Sequence, residues 1–183
     1  MNDRVLPLGD PRLRSVAAPV REGDPAFPEE RRRLHAMLAA FRAEYGFGRA
    51  IAAPQIGILK RFIAVDLGSG PFTLVNPSIS WRSDELFQLW DDCMCFPTLL
   101  VRVQRSVSIL VEYADDEWNA RTLGPLDRGR SELLQHEIDH LDGVLAVDRA
   151  ASPEAIISRE AYAAHRALFD AQVDGGSPRA SRS

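Results

Sequence analysis

The stretch from about Ser131 to Leu145 constrains the fold most, because it reads as one helix with two unlike faces that both call for burial. Leu134, Ile138, Leu141 and Leu145 gather on one side, while His136 and His140 share the other at i,i+4. A helix of this kind belongs in mid-domain, with partners for its polar face. In His136-Glu137-Ile138-Asp139-His140 the imidazoles stand one turn apart and reach a single ion, and Glu137, about 100 degrees around the helix, addresses the ion's open side. The plain alternative is two unrelated core or surface histidines flanking a glutamate. This spacing arises by chance about once in a few hundred proteins, and the chain has only four histidines, so a metal-dependent hydrolase is the stronger reading. A catalytic site of this type carries three protein ligands and a water. The helix offers no third group on its histidine face. Asp139, beside the second histidine, suits orientation or the helix surface, which leaves Cys93 or Cys95 as the scarce alternative.

A chain of 183 residues is long enough to bury about two-thirds of its unfolded surface in one domain. Its apolar fraction of 45%, against 26% charged residues and a net charge of -4, describes an ordinary globular protein and gives no reason to expect DNA or other nucleic acid as a partner. A structural or binding role stays open on these grounds. Asp3, Gly9, Asp10 and Pro11 interrupt any leader-like apolar run, and no later run approaches the roughly 18 residues a membrane helix needs, so a cytoplasmic protein without a membrane partner is expected. The two cysteines lack the multiple-pair framework of a small secreted domain and read as free thiols, or as one thiol and one metal-bound thiolate.

Residues 1 to 25 read as an extended arm with one short turn at Asp10-Pro11. Leu34, Met37, Leu38, Phe41 and Tyr45 predict a helix from Pro28 to Tyr45 that ends at Gly46. The small residues of GRAIAAPQIG suit a loop or edge passing close to something else. Short strands are expected at 61–67, 72–75, 85–90, 107–113 and 121–123, joined as hairpins rather than crossovers. A last helix is expected over roughly 153–171. One domain, 1–173, would then be followed by a polar, disordered tail, 174–183.

Three segments, in order, resemble the peptide deformylase family: GRAIAAPQ from Gly48 to Gln55, DDCMCFP from Asp91 to Pro97, and QHEIDHLDGVL from Gln135 to Leu145. The opening VLPLGDPRLRSVAAPV resembles that family's N-terminal arm. The resemblance implies an α+β fold, with short antiparallel or mixed sheets packed around a central metal-bearing helix. It implies Cys93, His136 and His140 as ligands of one divalent ion, iron(II) in the family, with zinc, nickel or cobalt also acceptable to such donors. Glu137 would be the general acid/base, with Gln55 and the Met94 backbone N–H holding the carbonyl oxygen as the N-formyl group leaves a peptide that begins with methionine. Arg105 matches a family arginine that would brace Asp91; a solvated strand-edge charge is the alternative for it and for Arg102.

The chain also departs from the family. Asp91-Asp92 replaces Glu-Gly before the metal cysteine, Met94-Cys95 replaces Leu-Ser after it, and Ala50 stands for the second glycine of the first motif, followed by Ile51. Asp92 either re-aims the substrate cleft, favouring an exposed ammonium or other donor, or is a solvent-facing loop acid. Ile51, Phe96 and Leu133 are candidates to line the first side-chain pocket, Leu133 most firmly because it lies on the ligand face of the helix. The alternatives are a related amidase acting on another small N-formyl or N-acyl compound, and a non-catalytic metal-binding protein. A monomer that meets the ribosome and nascent chain is what the resemblance implies.

Overall fold

The computed structural model describes residues 4–174. Its strands are β1 (Ala50–Ala52), β2 (Phe62–Asp66), β3 (Pro71–Arg82), β4 (Leu86–Asp91), β5 (Leu99–Ser106), β6 (Ile109–Ala114), β7 (Ala120–Leu123) and β8 (Ile156–Ser158). All pairings between them are antiparallel, in a five-stranded sheet ordered β1-β2-β3-β6-β7 and a three-stranded sheet ordered β4-β5-β8. Helices α1 (Phe27–Tyr45) and α2 (Arg128–Leu141) cover the larger sheet from opposite sides. Strand alternation sorts the side chains: Ala50, Ala52, Ile63, Val65 and Leu74 share a core with Leu134, Ile138 and Leu141 of α2, while Ile51, Phe62, Ala64 and Val75 share one with Leu34, Leu38 and Phe41 of α1. α2 also packs on β5, so it lies between the sheets with both faces buried. The α+β class and the buried central helix are as the sequence predicts.

Several boundaries differ from the sequence reading. β3 continues to Arg82 because the register shifts between Val75 and Ser78, which carries the strand past Pro77, and Asn76 adopts φ 52 there with its side chain bonded to Val20 N–H and C=O. β5 is a full strand absent from the reading; Arg105 occupies a buried position on it and breaks the apolar alternation. α2 begins at Arg128, capped by Asp127, and ends at Leu141 rather than Leu145. Beyond it Gly143 has φ 72, and a Cβ there would lie 2.7 Å from the carbonyl oxygen of Arg14, where the N-terminal arm passes. Leu145 therefore packs with Leu6 and Leu13 instead of with the helix stripe.

The single helix expected over 153–171 is replaced by a 3-10 turn, β8 and two short helices, α3 (Arg159–Ala164) and α4 (Arg166–Asp170). The β-branched pair Ile156-Ile157 extends against β5, Ser158 caps α3, and His165 at φ -128 separates α3 from α4. The expected tail, 174–183, lies outside the described residues except for Asp174, which is held by Gln88 N–H at 2.8 Å and by Arg128. No helix among the described residues is long and apolar enough to cross a membrane.

Candidate metal centre and active site

α2 delivers His136, Glu137 and His140; the loop after β4 delivers Cys93, Met94 and Cys95; the 3-10 turn after β1 delivers Gln55. All seven are buried. His140 Nε2 lies 3.2 Å from His136 Nε2 and 3.3 Å from Cys93 Sγ. Two nitrogens at ordinary distance from one tetrahedral ion stand about 3.3 Å apart, so the donor set fits a small divalent metal. Cys95 comes closer than a single metal cysteine would suggest: ligand atoms of Cys93, Cys95 and His140 all lie within 4.8 Å of one another.

A second layer fixes these donors. His136 Nδ1 faces Asp91 Oδ2 at 2.9 Å, the carboxylate–histidine arrangement that turns the other ring nitrogen toward a metal. Asp91 is braced by Arg105 at 3.1 Å. Arg105, only 3% exposed, also bonds Asp139, which receives Arg149 at 2.5 Å on its other oxygen. Asp139 is therefore a buried, doubly paired anchor and not a helix-surface acid.

Burial opposes charge throughout the centre, and the neighbours decide which groups keep it. Asp91 resists burial because His136 and Arg105 hold its carboxyl below the usual range. His136 is likewise opposed by burial, yet Asp91 raises it to about 9; a metal at Nε2 takes the place of that proton. Burial and the neighbouring His136 push His140 far down, keeping it in the neutral form that ligates. Burial raises the Cys93 thiol, with Cys95 adding to the effect. Burial also pushes Glu137 up to about 7, with Asp91 adding to it and His136 and the Ala52 N–H opposing. Its Oε2 meets no hydrogen-bond partner among the described residues, so the carboxyl is free on one oxygen to exchange a proton near neutrality.

Gln55 Oε1 accepts from Ala52 N–H at 2.7 Å, which orients the amide so that Nε2 faces the sulfurs of Cys93 and Cys95 at 3.9 and 3.7 Å. The Met94 side chain packs into the α1 core, and its Cε would lie 2.6 Å from a Cβ at Gly48, where φ is 114. Ala50 and Leu133 lie in the α2 core. Ile51 is fully buried on the α1 side, and Phe96 packs with Leu6 and Leu13 in the cluster that also holds Cys93 and Cys95. Asp92 is neither a free loop acid nor an open acceptor for an ammonium: Arg159 binds it at 2.5 Å, donates to Pro97 C=O at 2.6 Å, and lies over the Phe47 ring.

Two pairings escaped the sequence reading. Glu132, one turn before His136, is bound by Arg49, which also donates to Gly129 C=O at 2.7 Å. Helical spacing from His136 carries that signal for Glu132. Arg159 is 67 residues from Asp92 and carries none.

The profile of the polypeptide deformylase family matches residues 2–155. This chain belongs to that family. The peptide deformylase of Thermotoga neapolitana is 34% identical over 86% of this chain and 92% of its own. That of Desulfitobacterium hafniense is 35% identical over 80% and 93%. Among solved structures, the Synechococcus elongatus peptide deformylase in complex with actinonin superposes with a TM-score of 0.74 at 31% identity, covering 84% of this chain and 81% of that one. The Legionella pneumophila enzyme gives 0.75 at 27% identity, over 93% and 96%. The chain is thus a deformylase, an enzyme that removes the N-formyl group from newly made peptides.

Proposed function

We propose that Cys93, His136 and His140 hold the one divalent ion this deformylase requires, and that Glu137 carries the proton from water to the leaving amine. The convergence of His140 Nε2 on both His136 Nε2 and Cys93 Sγ, beside a buried carboxyl with a free oxygen, supports this reading. A bound divalent ion supplies Lewis acidity to the water and the formyl carbonyl. Glu137 takes the water proton and returns it to the amide nitrogen as the C–N bond breaks, giving formate and a free N-terminus. The Gln55 Nε2–H and the Met94 backbone N–H stabilise the negative oxygen. Asp91, itself held by Arg105, keeps His136 aimed. Iron(II) is the expected ion, and zinc, nickel or cobalt satisfy the same donors.

β1 stands at the edge of its sheet beside α2, a position where an extended peptide aligns, with Ala50 and Leu133 near its first residues. The Asp92–Arg159 pair holds the loop between β4 and β5 that carries Cys93. The substrate is an N-formylmethionyl peptide met in the cytoplasm at the ribosome, by a monomer. The alternative is a related amidase specificity, for another small N-formyl or N-acyl compound, which rests on the changed loop residues Asp91, Asp92 and Cys95. Formate release from a formyl-Met peptide and from small formylated amino acids separates the two, using anaerobically prepared iron(II) protein with Glu137→Ala as control. Release from the peptide that disappears in the control supports the peptide substrate. Release only from small compounds transfers the assignment to them.

A further inference from the structure

A polar cavity, of about 190 Å³, opens beside α2 and is lined by Arg82, Arg105, Arg149, Gln104, Gln135 and Asp139 among others. None of Gln55, Cys93, His136, Glu137 or His140 lines it. We propose that this cavity binds a small oxyanion, inorganic phosphate or the phosphate of a small monoester.

The charges lining it are unbalanced. Three guanidinium groups face one carboxylate, Asp139, and that carboxylate is already occupied by Arg105 and Arg149. The other acid bonded to Arg105, Asp91, is not part of the lining. Arg82 makes no ion pair among the described residues; its bond is to the neutral Gln135 Oε1 at 3.1 Å, an oxygen that also accepts from Ser106 N–H. The buried Nε of Arg105 has no acceptor among the described residues. Burial and the neighbouring Arg149 and Arg105 lower the pKa of Arg82, against the pull of Asp139 and Asp142, which is the signature of a cation short of negative partners. The protein as a whole carries a net charge of -4, so the excess is local and not a general basic surface.

Guanidinium groups recognise oxyanions through paired N–H donors, and the lining brings three of them to one cavity with Arg82 left without an ion pair among the described residues. The volume is below the roughly 300 Å³ at which pockets begin to take drug-sized ligands. Phosphate or a compact ester fits such a volume. Arg105 also links the cavity to Asp91 and hence to His136.

Calorimetric titration of metal-loaded protein with inorganic phosphate, against chloride at equal ionic strength, tests the assignment, with phenyl phosphate as a second titrant. Saturable binding at one per chain, weakened at least tenfold in both Arg82→Gln and Arg149→Gln, is expected. Tighter binding of phenyl phosphate than of inorganic phosphate would identify a monoester as the source. Both side chains are partly exposed, and thermal transitions verify that the variants retain the fold. Absence of saturable binding by either titrant overturns the proposal. So does binding that both variants leave unchanged, since that would place the anion elsewhere, including at the metal.

Discussion

Glu137 and Gln differ by little more than a charge and a proton, so Glu137→Gln separates proton transfer from architecture. Its kcat is expected to fall by about 10²–10⁴ while metal per chain is unchanged; retained activity would remove Glu137 from the chemistry. The two thiols are separable in the same way. Cys93→Ser is expected to lose stoichiometric metal and Cys95→Ser to keep it, because only Cys93 Sγ is in direct contact with His140 Nε2; loss in both would make Cys95 a ligand. The helical ruler of HExxH made His136, Glu137 and His140 legible from sequence, but a ruler on α2 says nothing of a loop, and choosing Cys93 over Cys95 needed the family resemblance. Far from this centre, His35 Nε2 lies 2.9 Å from Thr73 Oγ1, and burial lowers its pKa below 6.5. The unfolded chain therefore takes up a proton that the folded chain resists, so this contribution to stability is complete above 6.5 and declines as pH falls below it. Urea midpoints measured across that range should vary less in His35→Gln than in the parent.

At the scale of elements, α2 is held by charge as much as by packing. Arg105 on β5 ties Asp91 at the end of β4 to Asp139 on α2, all three nearly inaccessible to water. Arg105→Leu leaves two buried carboxylates short of a partner and is expected to cost about 3–5 kcal/mol, read as a lowered urea midpoint. A loss within experimental error would mean that Arg149 and His136 alone neutralise the acids. This network also explains what the sequence hid. Periodicity assumes that buried means apolar, so it gives no strand where Arg105 points inward and leaves an acid flanked by Ile138 and His140 a surface option. The last segment failed for a different reason: its alanines suggested helix, but pairing of Ile156 and Ile157 with β5 outweighed local preference.

At the scale of the molecule, the centre joins parts that are otherwise separate. Its proposed ligands come from α2 and from the loop between β4 and β5, while Gln55 arrives from the turn after β1 in the other sheet. An ion held by Cys93, His136 and His140 therefore cross-links the helix to the smaller sheet, and the unfolded chain, with Cys93 43 positions before the nearer histidine, has no such site. Binding restricted to the folded state stabilises it by RT ln(1 + [L]/Kd), about 4 kcal/mol when free metal is 1,000 times Kd. Chelation should accordingly lower the thermal midpoint of the whole domain in one transition, and re-addition of metal should restore it in proportion to the logarithm of free metal. Glu137→Gln should show the same shift, because that side chain is not among the proposed ligands, whereas Cys93→Ser should show little. A midpoint indifferent to chelation would mean that the two sheets are locked by Arg105 and the cores alone, and that metal at this site serves only the reaction.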